Sequence, residues 1–156
     1  MSVTRRGLKL PARQWQSMAV KAGVLENATY PANMIRNAET GAEYPDPRAG
    51  MKVATIAAAL EYGAGQNHPR PFMQQTFAQR KKEWRDDLVQ LLVDGAPVHS
   101  AMMTVGQVMK EDIKKTISDW PADNSEAWAR VKGYNAGLRF TGELEHSIES
   151  EVEIPK

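Results

Sequence analysis

Cysteine is absent from these 156 residues, which excludes a disulfide framework and any thiolate metal site. Histidine is nearly absent: His68, His99 and His146 are the full set, and no two stand at i, i+4. A His-Glu-x-x-His zinc helix is therefore excluded. No Gly-x-Ser-x-Gly elbow or P-loop occurs, and Gly63-Ala64-Gly65 lacks the third glycine and the preceding strand of a dinucleotide fingerprint. Charge of one sign is missing too, since 20 Lys+Arg against 19 Asp+Glu leave +1. The whole molecule thus creates no strong field toward nucleic acid or membrane. No apolar run approaches the ~20 residues that span a bilayer. The basic start, Met1 to Leu8, has no apolar h-region, so no secretory signal is expected. The Asn27-Ala28-Thr29 sequon has no meaning in an unsecreted chain. These absences predict synthesis in a reducing cytoplasm, no metal, no cofactor, no membrane contact and no catalysis.

The amount of apolar residue is ordinary, 42% hydrophobic with 25% charged, and the length suits one domain. Its charge is uneven along the chain. Residues 1–50 carry seven basic and four acidic side chains, whereas residues 101–156 carry seven and ten. A basic end and an acidic end suit head-to-tail self-association.

Residues 1–10 read as a flexible basic arm, followed by a single α+β domain over 11–156. Pro11 to about Val20 is expected to be a short helix bearing Trp15 and Met18, and Val24 to Tyr30 a strand. Residues 31–50, rich in Pro, Gly, Asn, Asp and Glu, are expected to be one long loop, because Tyr44-Pro45-Asp46-Pro47 resists both regular ladders. Val53 to Tyr62 is an Ala-rich helix ended by Gly63. Phe72 to about Val93 forms the longest helix, with Phe72 and Phe77 anchoring its start. Asp94-Gly95-Ala96-Pro97 stops it. From Val98 to Trp120 the apolar residues Val98, Met102, Val105, Met109, Ile113, Ile117 and Trp120 make an unbroken helical stripe, with Met103 off it. Asn124 or Ser125 caps a short helix to about Lys132. Thr141 or Gly142 opens a helical turn, and residues 148–154 alternate with period two as a strand. The expected architecture is a long antiparallel helical hairpin packed against a small antiparallel β-sheet. Trp84, Trp120 and Trp128 are assigned to its core.

Between the first two helices lies a segment that specifies geometry rather than chemistry. Gly63 and Gly65 free the backbone, while Pro69 and Pro71 fix φ on either side of Arg70. Such a stiff elbow is built to dock. The run Leu60-Glu61-Tyr62-Gly63 … Pro69-Arg70-Pro71-Phe72-Met73 … Thr76-Phe77 resembles the Glu-Phe-Gly … Pro-x-Arg-Pro-Phe signature of a tail-component family of long-tailed bacteriophages. A second block, Leu138 with Thr141, Gly142, Leu144, Ser147 and Ile148, is similar to the family's Leu-x-x-Thr-Gly-x-Leu-x-x-Ser-Ile. The two blocks stand in the family's order and touch residues 50–154. Tyr62 departs from the commoner Phe, Phe140 stands where an acidic residue is usual, and the 64–68 spacer differs.

The resemblance implies a structural virion protein of the neck, a tail-completion ring that joins the tail to the head connector. Implied partners are other copies of the chain, with a hexamer matching the tail, then the tail terminator, the head-closure protein and the tail tube. It implies an interface at Glu61, Tyr62, Gly63, Pro69, Arg70, Pro71, Phe72 and Met73, and a place in the virion after assembly in the host cytoplasm. Within the elbow, the acidic residue before Tyr62-Gly63 leads to the expectation that Glu61 pairs with Arg70 across the turn. Arg80, Lys81, Lys82 and Arg85 form a basic patch. It reads either as a solvated face balanced by Glu83, Asp86 and Asp87, or as a surface facing genomic DNA in a channel. Sequence-tolerant DNA binding through this patch and the basic arm is the alternative function.

Overall fold

The structure, a computed structural model, describes residues 18–154. The order is β1 (Ala19–Val24), β2 (Met34–Arg36), β3 (Glu43–Pro45), α1 (Val53–Tyr62), α2 (Phe72–Val93), α3 (Val98–Ser118), α4 (Glu126–Lys132), α5 (Glu143–His146) and β4 (Ile148–Glu153). Mixed α+β architecture is thus observed, with the strands in two separate two-stranded sheets. β1 and β4 pair antiparallel from Ala19↔Glu153 to Val24↔Ile148, which joins the two ends of the described chain. This ribbon lies on α3, and α3 lies against α2, giving a layered helical hairpin and sheet.

The 3.6-residue periodicity explains the hairpin. Along α3, Val105, Ile113 and Ile117 are buried and Met102 and Met109 half-buried, while Met103 faces out. Trp84 of α2 is buried and donates its indole N–H to Asp112 Oδ2 at 2.7 Å, and Arg80 reaches the same carboxylate at 3.2 Å. Thr76 and Thr116 hydroxyls meet at 2.7 Å. The central core gathers Tyr30, Val53, Ala57, Phe72, Ile113, Ile117, Leu138, Leu144 and Ile148. Phe72 is fully buried there, whereas Phe77 is 56% exposed and only edges its ring against buried Trp84 at 6.1 Å. α2 rests on α3 and on α1, so among the described residues its opposite face carries Val89 and Val93 into solvent. Trp120 is half-buried and Trp128 exposed, so of the three tryptophans assigned to the core Trp84 alone is fully in it.

Three expectations for residues 11–50 change. Ala19 and Val20 are strand, not helix, because the register with β4 recruits them; the arm, Trp15 and residues 11–17 lie outside the described residues. Of Val24 to Tyr30, Val24 alone is in a strand, and Thr29 makes an isolated bridge to Lys52. The segment 31–50 is not a structureless loop. Met34, Ile35 and Arg36 pair with Pro45, Tyr44 and Glu43, and Ile35 and Asp46 are buried. The Asn37 side chain accepts from the Glu39 and Thr40 N–H groups at 2.9 and 3.1 Å, closing the turn. Pro45 ends a strand with one neighbour, where a missing N–H is tolerated.

Candidate docking cleft

The elbow folds as its glycines and prolines require. Gly63 terminates α1 at φ 81°. A Cβ there would meet Asn67 O at 2.9 Å and Pro69 N at 3.1 Å, so the turn is closed to larger residues as well as to ordinary backbone angles. Ala64 and Asn67 bridge, and the Arg70 N–H returns to Leu60 O at 2.6 Å. The chain thus returns to the end of α1 before α2 starts at Phe72.

Glu61 does not pair with Arg70. Its carboxylate accepts the Met73 and Gln74 backbone N–H groups, each at 2.9 Å. The residue preceding α2 is Pro71, which offers no capping side chain. A carboxylate from the neighbouring helix therefore satisfies donors that the helix start leaves open, at its positive end. Two fixed backbone donors outcompete one flexible guanidinium. Burial of Glu61 at 6% exposure fits this closed cap.

Arg70 turns the opposite way. Its Nε donates to Asp123 Oδ1 at 2.9 Å. The same carboxylate accepts the Trp120 indole N–H at 3.0 Å and lies 3.0 Å from His68 Nε2. Burial pushes the Asp123 carboxyl up, but hydrogen bonds from His68, Arg70 and Trp120 together hold it below the usual range. Gly137 lies so near that a Cβ would come within 2.1 Å of Asp123 Oδ1. The elbow, the end of the α3 segment at Trp120 and the Gly137 backbone thus converge on one side chain.

Beside this knot opens a cleft of about 740 Å³. Its walls come from the β2–β3 hairpin, the elbow, the 123–125 turn, α4 and residues 137–144. Asp46, buried, grips Arg48 through two hydrogen bonds of 3.0 and 2.8 Å, and the Arg48 guanidinium stacks 4.3 Å from the Tyr30 ring and 5.2 Å from Phe140. The Arg48 bonds hold the Asp46 carboxyl low, while burial raises the Tyr30 hydroxyl. Arg48 also reaches the Thr141 hydroxyl at 3.3 Å. Phe140 packs edge-on against Trp128 at 5.3 Å. Lys132 is 8% exposed, and its ammonium donates to Ala136 O at 2.7 Å. Burial, with Arg70 and Arg48 nearby, lowers its pKa to about 8.

The two sequence blocks meet here. Arg70 of the first and Leu138, Thr141, Gly142 and Leu144 of the second line the same cleft. Leu138, Leu144, Ser147 and Ile148 are buried, and Thr141 is exposed. Of the eight elbow positions, Glu61, Arg70 and Phe72 are buried, Gly63, Pro71 and Met73 are half-buried, and Tyr62 and Pro69 face solvent. Tyr62, 72% exposed, and Phe77 remain as the outward aromatic surface of the elbow region. On α2 the basic patch is largely neutralised. Arg80 pairs with Glu83 and Asp112, Lys82 with Asp86 at 2.8 Å, and Arg85 lies 3.5 Å from Asp86. Lys81 sits 5.9 Å from the Phe77 ring. The balance expected from Glu83 and Asp86 is present, and Asp112 adds to it.

Asp46, Arg48, Asp123 and Lys132 were not singled out by sequence. Asp46 and Arg48 had a local signal, the Asp-x-Arg spacing that lets one side chain bond both the backbone and side chain two residues on. Asp123 and Lys132 had none, because Arg70 and Asp123 are 53 residues apart. Among the described residues no cluster of three or more His, Asp or Glu could hold a metal ion. Comparison with protein families, curated proteins and solved structures finds no match to this chain.

Proposed function

We propose that this chain is a structural virion protein of a long-tailed bacteriophage, a neck or tail-completion protein whose copies close into a ring between tail and head connector. The observation that supports this reading is the meeting of the two tail-component-like blocks on one cleft, with the elbow braced from both sides. Glu61 fixes the start of α2 and Asp123 fixes Arg70, so the elbow is rigid before any partner arrives. A preformed element loses less freedom on docking, which favours assembly. Tyr62 and Phe77 stand outward beside it as apolar contacts for a neighbouring copy or layer. Heterologous contact of identical subunits through a closing rotation makes a ring without any catalytic step. Six copies would match the symmetry of a tail.

The test separates docking from folding. Tyr62→Ser removes an exposed ring and should leave the melting temperature nearly unchanged, since surface changes stay within about 0.5 kcal/mol. In a phage dependent on this protein, this variant should yield filled heads and free tails that electron microscopy counts separately. Normal numbers of joined particles would reject the reading.

A further inference from the structure

Lys132 occupies an unusual position on the cleft wall. The residue is more than nine-tenths buried, yet among the described residues its one hydrogen bond is to a neutral carbonyl, Ala136 O. The neighbouring cations are already satisfied: Arg48 is held by Asp46, and Arg70 by Asp123. Arg139 lines the same wall and reaches the Ser118 hydroxyl at 3.4 Å. The ammonium lies 5.0 Å from the Tyr134 ring and 5.8 Å from Phe140. Among the described residues no carboxylate pairs with this ammonium, since nearby Asp123 is held by Arg70; burying it so is costly, and the structure carries that cost in a cleft open to solvent.

We propose that this cleft receives a single carboxylate borne on an apolar or aromatic body, with the carboxylate at Lys132 and the body against Tyr30, Tyr44, Trp128 and Phe140. The volume suits a small ligand or one inserted side chain, within the ~300–1,000 Å³ usual for such sites. Among the described residues Lys132 is the buried cation of this wall that no carboxylate holds, which matches a monoanion; the forks of Arg48 and Arg70 are taken, and Arg139 stands exposed, where solvent screens its charge. Glu143 lies on the same wall and acts on Tyr30, so it repels an anion from that end and orients the ligand. The carboxylate could belong to a free aryl acid or to an acidic side chain of a partner protein. The inference is independent of the ring reading.

The lowered Lys132 pKa supplies a signature. A bound carboxylate favours the charged ammonium, so its titration should move upward from about 8 on saturation. Binding should weaken as pH rises through that value in the free protein. The charged groups facing Lys132 are Arg48, Arg70, Arg139 and Asp123; guanidinium groups stay charged throughout this range.

The experiment follows Lys132 in the 156-residue chain by NMR of labelled lysine, against phenylacetate, the peptide acetyl-Phe-Glu-Phe-amide, inorganic phosphate and neutral phenylacetamide. Saturable binding of phenylacetate or the peptide, with an upward pKa shift, is expected, and the tighter of the two identifies the source. Lys132→Gln keeps a donor for Ala136 O and should lose about tenfold or more in affinity. Arg139→Gln, at an exposed position, should weaken binding by about threefold. Absence of saturation by both carboxylates, equal binding of phosphate or phenylacetamide, or an unmoved Lys132 titration would each overturn the proposal. The wild-type titration decides even if Lys132→Gln fails to fold.

Discussion

Glu61 and Asp123 show how one carboxylate can organise a turn without any chemistry. Glu61→Gln keeps the shape but donates where it should accept, and removes the charge at the α2 start. It should lower stability by about 1 kcal/mol in urea unfolding. Asp123→Asn should loosen Arg70, Trp120 and His68 together. Because the Asp123 and Asp46 carboxyls sit below their unfolded values, their contribution is complete above about pH 4 and is lost as pH falls through the folded values. Asp123→Asn should therefore flatten the acid limb of a stability-versus-pH curve. Lys132 shares the direction of the pH slope but for the opposite reason, since its charged form is the destabilised one: its folded pKa, about 8, lies below the unfolded value. The unfolded chain then holds more protons from about pH 8 to about pH 10, so this group makes stability rise with pH there. Lys132→Gln should erase that rise, measured by denaturant midpoints across the window. Gly137→Ala places a methyl group against Asp123, Trp120 Cδ1 and Pro121 O, and should cost about 3 kcal/mol or more.

Among the elements, the helical hairpin and the β2–β3 hairpin contrast in how visible they are. Val98 to Trp120 repeats an apolar residue every third or fourth position, and one face of α3 buries as that pattern demands. The short β2–β3 pair buries a single side chain per strand at most, so no alternation is detectable in three-residue strands. Its clues were turn residues, Asn37 through Gly41, whose side-chain bonds close the connection. Ile35→Ala should destabilise by about 2 kcal/mol or more, because Ile35 buries itself beneath the hairpin; a loop without structure would tolerate it. Trp84→Phe removes the donor to Asp112 inside the α2–α3 interface. It should cost about 1–2 kcal/mol in thermal unfolding.

For the whole molecule, the ribbon of β1 and β4 ties the first described strand to the last, and α3 packs directly across it. Among the described residues both strands of this ribbon have one free edge, as do β2 and β3. The unpaired edges and the bare face of α2 are the surfaces on which an assembly could be built. The charge asymmetry of the chain is partly consumed internally: Lys110 holds Glu149 at 2.7 Å and Lys21 pairs with Glu153. Glu151 stays exposed on β4. High salt should therefore leave the fold nearly intact while weakening any contact that relies on that acidic edge, a difference that sedimentation at two ionic strengths would detect.

Local rules were enough for the class of fold, the two long helices, the Gly63 turn and the C-terminal strand, because periodicity and backbone restriction act between residues a few positions apart. They also marked residues 59–77 as a rigid elbow. They misassigned the partner of Glu61 and missed Asp123 and Lys132, since those roles depend on which segments lie side by side after α2 and α3 have packed. A carboxylate carries no sequence mark of whether it will face a guanidinium or two backbone amides. Burial and approach decide that, and both are properties of the folded chain.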